Sequence, residues 1–455
     1  MTDNEETTMP QISIIMPLYN AAKYLEESIN CVLNQTFTAF ELICVNDAST
    51  DATPDILCDF ARRDSRIKVL ENEKRSGAAY SRNKGMREAC GKYLSFLDGD
   101  DIFEEEMLER AYEAAERYRT DVIVFEMKHC TNEEIHRKQN VIHGVPFRER
   151  YCTEPFAVTD QMSYECMNWK LGPTNKLYNR EFIVFNQLEF QNLSCENDAY
   201  FVFMALVLAK RLLCLNDDRV MIYARDHFEP SRISCDRDPA CSYAAFLHIA
   251  EELKKREKFS EVYQQFYYQF FFSVRNSLFK CKSEEKEREY YRFLKEEGID
   301  NILSFGAEYY DSLEDYIKVL LDQFKKQEFD TKWYREEQGL LIQLSQKQNA
   351  DAVRELFAYY KAENKPVGVW GAGANGISLL KFCRDNGLEI NMVIDKSPAK
   401  QGKLVSGYSV SAPEAIENTL KAVVVTPRQI FESVRQELAG REIELIDMNQ
   451  YLKIY

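Results

Sequence analysis

Four short apolar runs in the first hundred residues each stop at a polar loop, and each is followed by a stretch whose apolar residues recur at helical spacing. Residues 12–16 run into Pro17-Leu18-Tyr19-Asn20, after which Tyr24, Leu25, Ile29, Val32 and Leu33 mark a helix. Residues 41–45 run into 46–51, where Asp51 is placed to cap a helix carrying Ile56, Leu57 and Phe60. A third run, 66–70, precedes a helix opened by Ser76-Gly77 and continued through Arg82, Asn83 and Met86. The fourth, Lys92 to Leu97, ends at Asp98-Gly99-Asp100-Asp101, before a helix over 104–118 and a strand over 121–125. Such alternation predicts an α/β domain of parallel βαβ units with right-handed crossovers. Ligands of these sheets sit outside the carboxyl ends of the strands, so the loops at 17–20, 46–51, 71–77 and 98–101 share one rim.

Three carboxylates in the four residues 98–101 form the most chemically loaded loop of that rim. Hard cations prefer carboxylate oxygens, but Asp and Gly are also ordinary turn residues, so the loop by itself leaves a metal site and a turn both open.

The rest of the composition narrows the field. A net charge of −16 on 455 residues, with no Lys/Arg block, excludes nucleic acid as a partner. The acidic stretch 1–11 lacks the features of a signal peptide and is expected to be a tail. The longest apolar run, 200–209, has about half the length of a membrane span and is expected to be a buried helix. Thirteen cysteines without a CxxC pair point to reduced thiols and a cytoplasmic protein, and five histidines show no ligand spacing.

The ordered set Pro17-Leu18-Tyr19-Asn20, Val45-Asn46-Asp47-Ala48-Ser49-Thr50-Asp51, Ser81-Arg82-Asn83-Lys84-Gly85 and Asp98-Gly99-Asp100-Asp101 resembles family 2 glycosyltransferases, inverting enzymes of the GT-A fold, over roughly residues 11–230. One departure is Asn46-Asp47-Ala48, where the family usually has Asp-Asp-Gly. The resemblance implies that Pro17, Tyr19 and Asp47 line the base and ribose pocket of a nucleotide-sugar donor, with UDP as the expected nucleotide, and that Arg82 lies near the nucleotide. It implies further that Asp98 contacts the ribose or metal-bound water and that Asp100 ligates Mn²⁺ or Mg²⁺.

Downstream, Trp169 and Asn175-Lys176-Leu177-Tyr178 resemble the segment of this family that faces the acceptor. In Cys195-Glu196-Asn197-Asp198, a carboxylate could simply cap the following helix. The family's acidic pair falls on the same place, which implies Asp198 as general base and Glu196 as a further acceptor-side residue. Inverting transfer needs such a base, because the acceptor hydroxyl must lose its proton on the face opposite the leaving diphosphate. Tyr223-Ala224-Arg225-Asp226-His227 and Ser231 resemble the family's Tyr-Arg-x-x-x-x-Ser segment with its register shifted by Ala224. A phosphate contact at Arg225 or His227 is correspondingly a looser carry-over.

The expected organisation is a GT-A domain over 12–235, a helical region over 236–362 and a small Rossmann-like domain over 363–455. In the helical region Phe259, Val262, Tyr263, Phe266, Phe270, Val274 and Leu278 form one stripe, either a packing face or a membrane-surface face. The last domain carries Gly371-Ala372-Gly373-Ala374-Asn375-Gly376 between a strand and a helix, and Asp395 about 20 residues on, the dinucleotide pattern. It resembles domains attached to sugar acyltransferases and C-methyltransferases, and its glycines serve either a bound nucleotide or close packing. The reading favoured by the sequence is a metal-dependent inverting glycosyltransferase acting on a saccharide or lipid-linked saccharide, cytoplasmic or peripheral at the inner membrane face. A non-catalytic nucleotide-sugar scaffold, or a bifunctional protein with an NAD-binding C-terminal domain, are the alternatives. The sugar, the linkage and the oligomeric state are not written in the sequence.

Overall fold

The computed structural model describes residues 9–130, 150–158, 172–217, 219–225, 238–313, 315–331, 347–372, 374–398, 400–416, 420–426 and 431–448. The chain divides into two compact units, residues 1–290 with 301–307, and residues 291–300 with 308–455, so the helices between 236 and 362 are shared between them.

The first unit is built on a nine-stranded sheet. Strands β1 (Ile12–Leu18), β2 (Phe40–Asn46), β3 (Ile67–Glu71) and β4 (Tyr93–Phe96) are its parallel half, joined by helices α1 (Ala22–Leu33), α2 (Thr53–Arg63) and α3 (Ala78–Glu88). Their near-continuous burial explains why they read as apolar runs rather than alternating ones. Asp51 tightens this half at two points, accepting hydrogen bonds from the backbone N–H of Thr53 at 3.0 Å and of Ala22 at 3.1 Å, so one carboxylate serves two helix starts.

Beyond β4 the parallel expectation fails. After β5 (Ile102–Phe103), helix α4 (Met107–Tyr118) and β6 (Val122–Cys130), strand β7 (Lys176–Asn179) inserts between β4 and β6 and runs antiparallel to both. β8 (Leu212–Leu215) and β9 (Met221–Arg225) pair with β6 in parallel, and the order is β3-β2-β1-β4-β7-β6-β9-β5. A four-residue strand from a distant segment leaves no local pattern to announce where it pairs. Helix α5 (Arg180–Phe185) follows β7, capped by Asn179, whose side chain accepts from the Phe182 N–H. The fully apolar α6 (Ala199–Leu208) is buried all round, as its composition requires.

Helices α7 (Ala240–Lys255) and α8 (Phe259–Lys280) complete this unit. The stripe Phe259, Val262, Phe266, Phe270, Val274 and Leu278 is buried, which makes it a packing face. Among the described residues no helix is long and apolar enough to cross a membrane.

The second unit holds a six-stranded sheet, with β10 (Val367–Trp370), β11 (Met392–Ile394), β12 (Leu404–Val405), β13 (Tyr408–Ser411), β14 (Ala422–Val425) and β15 (Glu444–Asp447) in the order β12-β13-β11-β10-β14-β15. Only the β12–β13 pair is antiparallel. Helix α9 (Ala374–Asp385) follows β10 so closely that a Cβ on Gly376 would lie 1.6 Å from the Gly371 carbonyl oxygen. That contact forbids any side chain at 376.

Candidate active site

The carboxyl ends of β1, β2, β3 and β4 lie on one edge, and the expected donor residues collect there. Pro17 pairs with Val45 in the β1–β2 ladder, half-buried. Tyr19 stands just past the end of β1, with the Arg75 guanidinium 4.1 Å from its ring centroid. The buried Asp47 carboxylate accepts from Asn72 Nδ2 at 2.7 Å, from the Ser76 N–H at 2.8 Å and from the Gly77 N–H at 2.8 Å. It thereby clamps the loop after β3 over the rim, and a carboxylate's roughly four acceptor positions leave one more bond for a ligand donor. Ala48 adopts a left-handed φ of 56°, a conformation that accounts for the family's glycine at this place.

Arg82, buried on α3, donates from Nη2 to Asp98 Oδ1 at 3.0 Å, while the Asp98 side chain keeps 40% exposure. Gly99 separates the carboxylates because a Cβ there would meet Leu18 Cδ2 at 2.3 Å, so the loop lies directly on β1. The three carboxylates are thus not equivalent. Asp98 and Asp100 are half-buried at the rim, whereas Asp101 turns inward. Asp101 Oδ1 accepts from the Arg225 N–H at 3.1 Å and its carbonyl from Ser28 Oγ at 2.8 Å. Burial pushes the Asp101 carboxyl up to about 8, with the Asp98 charge adding to it and Arg225 opposing.

Arg225 is the residue that the sequence placed least well. Its side chain is 2% exposed, donates from Nε to the Asp100 carbonyl at 2.8 Å and from Nη2 to Glu27 Oε2 at 2.8 Å, and covers the Tyr24 ring at 4.3 Å. It is a strut between α1, the end of β9 and the loop of Asp100, so its guanidinium is spent on protein groups rather than held out to a phosphate. The register shift at Ala224 was the only trace of this in the sequence.

Asp198 occupies the N-cap position of α6 but its side chain makes no capping hydrogen bond, so helix capping does not account for it. Glu196, at a left-handed φ of 53°, accepts from Ser273 Oγ of α8 at 2.9 Å. Aromatic packing joins this side to the donor side: the Arg82 guanidinium lies 5.4 Å from the Phe190 ring, and Phe190 stacks on Phe201 of α6 at 4.1 Å. The segment 175–178, expected to face the acceptor, is instead a sheet strand in which Lys176 and Tyr178 are wholly buried. Trp169, His227, Ser231 and Gly373 lie outside the described residues.

In the second unit Asp395, expected at a nucleotide, holds its own turn. Its Oδ2 accepts from the Ala372 N–H at 2.7 Å and from Lys400 Nζ at 3.1 Å, and its Oδ1 from the Ser397 N–H at 2.8 Å. Gly371 and Gly376 meet through the close approach of turn and helix described above.

A GT-A sheet with a polar rim at its parallel edge defines the class. Crystal structures of S. aureus TarS residues 1–349 share the fold, with a TM-score of 0.57 for the complex with UDP-GlcNAc at 24% identity, covering 72% of this chain and 90% of that one. Residues 13–171 match Glycosyl transferase family 2, and residues 314–442 match the C-methyltransferase C-terminal domain. Glycosyltransferase GlyG of Streptococcus pneumoniae serotype 4 is 31% identical over 220 residues, 47% of this chain and 70% of GlyG. The poly(ribitol-phosphate) beta-glucosyltransferase of Bacillus spizizenii is 27% identical over 62% of this chain, which spans only 44% of that relative's length. The chain belongs to glycosyltransferase family 2, and it is a glycosyltransferase.

Proposed function

We propose that this protein is a metal-dependent inverting glycosyltransferase that moves a sugar from a UDP-sugar to a hydroxyl of a surface glycan or lipid-linked saccharide. The observation that carries the reading is the division of acidic groups: Asp98 and Asp100 on the rim of the parallel strands, and Asp198 apart from them at the start of α6. One set serves the leaving group and the other the nucleophile. The UDP-GlcNAc complex of TarS supports the donor class, and the named activity of the Bacillus spizizenii relative supports a polymer acceptor.

Among the described residues no cluster of three or more His, Cys, Asp or Glu side chains is arranged to hold a metal ion. Asp101 is committed inward and Asp98 is shared with Arg82. Asp100, half-buried at the rim, would be the carboxylate that meets Mn²⁺ or Mg²⁺. Such an ion would supply neutralisation of the charge that develops on the leaving diphosphate. Tyr19 and Asp47 hold the base and ribose, and Arg82 fixes Asp98. Asp198 takes the acceptor hydroxyl proton as the oxygen bonds to the anomeric carbon and the bond to the diphosphate breaks, with inversion.

Thermal unfolding with UDP, Mn²⁺ and both together tests this. A shift with both that exceeds the sum of the separate shifts is expected; no shift under any condition would sink the reading. Asp198→Asn should keep the combined shift and lose transfer.

A further inference from the structure

Strand β7 carries two buried polar side chains that the chemistry above does not use. Lys176 and Tyr178 are two residues apart on β7, so they leave the sheet on the same face, and both are 0% exposed. β7 is held on both sides, by Leu94 opposite Tyr178 on β4 and by Val124 opposite Lys176 on β6, so neither side chain can move out to water. Tyr178 packs edge-on against Phe201 in the first turn of α6, with ring centroids 5.3 Å apart, and against Phe96 at 5.7 Å. That places it directly under the helix start which carries Asp198.

Lys176 Nζ donates to the Gly172 carbonyl at 2.8 Å and to Asn175 Oδ1 at 2.7 Å, and Asn175 is itself anchored to the Phe125 carbonyl. Among the described residues the Tyr178 hydroxyl has no hydrogen-bond partner, nor has Nε of Arg82, whose charge acts on it. Asp198 acts electrostatically on both Lys176 and Tyr178; burial drives the lysine down to about 7 against that attraction, and drives the tyrosine up. A buried ammonium and a buried hydroxyl without a partner are both costly, and an apolar pair of similar size would suit the core better. Both costs fall beside one carboxylate.

We propose that Lys176 and Tyr178 are positioning residues for Asp198, the ammonium stabilising its charge and the tyrosine hydroxyl donating to it once the acceptor is bound. Catalytic hydrogen bonds commonly close only in the complex, which accounts for the unpartnered hydroxyl at rest. The proposal rests on Asp198 being the base, and the experiment separates the two.

Thermal unfolding of the wild type, Lys176→Met, Asp198→Asn and the double variant needs no substrate. Lys176→Met should raise the midpoint more in the Asp198→Asn background, where the ammonium has lost its counter-charge, by on the order of 2 °C. Equal shifts in the two backgrounds overturn the coupling. Tyr178→Phe should raise the midpoint slightly and leave the binding of UDP with Mn²⁺ unchanged, yet lower kcat about tenfold at constant acceptor KM, with whichever of UDP-glucose, UDP-galactose and UDP-N-acetylglucosamine the wild type turns over. Wild-type kcat, or a loss that only parallels a fallen midpoint, overturns the role of Tyr178. Full transfer by Asp198→Asn would instead remove the base, and the thermal cycle would still be decided on its own terms.

Discussion

The chain carries two sheets with an acidic residue just past the end of a parallel strand, and the two put that residue to opposite uses. After β4, the half-exposed Asp98 has one basic neighbour at 3.0 Å, and Asp100 stands beside it at the rim. After β11, Asp395 spends both oxygens on Ala372, Ser397 and Lys400 and so locks the turn that precedes α9. The loop of the first sheet is held from the side instead: Arg225 reaches in from β9, its side chain donating to the Asp100 carbonyl and its N–H to the Asp101 carboxylate.

The largest expected effect tests the first half of this contrast. Asp100→Ala should lower kcat/KM by about a thousandfold or more and abolish the extra thermal shift given by UDP with Mn²⁺, since several kcal/mol of leaving-group stabilisation would go with it. Steady-state kinetics and thermal scans check both; an unaltered metal response would equate this loop with that of Asp395.

Next, Arg225→Met should cost about 2–3 kcal/mol of stability, because the Asp100 carbonyl and Glu27 lose a buried cationic donor. Denaturant unfolding reads the stability, and the Mn²⁺ concentration needed for half-maximal UDP binding should rise as the Asp100 loop loosens. A stability loss with metal dependence untouched would separate the strut from the site.

Asp395→Asn should cost about 1–2 kcal/mol while leaving UDP binding unchanged. Burial alone would raise the Asp395 carboxyl, but the Ser397 and Ala372 N–H groups and Lys400 outweigh it and hold it below its ordinary value. Its contribution is therefore fully present above the unfolded value near 3.8 and fades as pH falls through the lower folded value. The variant should lose that acid-side slope in a pH series. A thermal shift of several degrees with NAD⁺ would break the contrast, because the acceptor position that Asp395 has left would then serve a ribose.

The smallest effect concerns the rim itself. Ala48→Gly should stabilise by about 0.5–1 kcal/mol, since a left-handed φ of 56° strains an L-residue. Chemical denaturation checks it, and destabilisation would show that the alanine methyl is needed at the pocket edge.

The parallel half of the first sheet and its rim were legible in the sequence because they are local: each strand is a short apolar run, and each loop follows it directly. The placement of Asp47, Arg82, Asp98 and Asp100 on that rim came with them. The sequence could not separate Asp101 from its neighbours, since the inward turn depends on Arg225, 124 residues away. Nor could it place β7, four residues that enter between β4 and β6 and carry Lys176 and Tyr178 out of solvent. The GxGxxG of the second unit was legible as a turn, while the engagement of Asp395 depended on where Lys400 and the Ala372 N–H come to lie.

Strand and helix boundaries, the shared loop edge and the residue types available for chemistry follow from composition and period, because near neighbours in the chain set them. Which carboxylate faces a ligand, which one is buried, and which polar groups are trapped beneath Asp198 were decided only by tertiary packing. Hydrogen-bond saturation and desolvation depend on groups brought together from across the chain, and no local pattern encodes those distances.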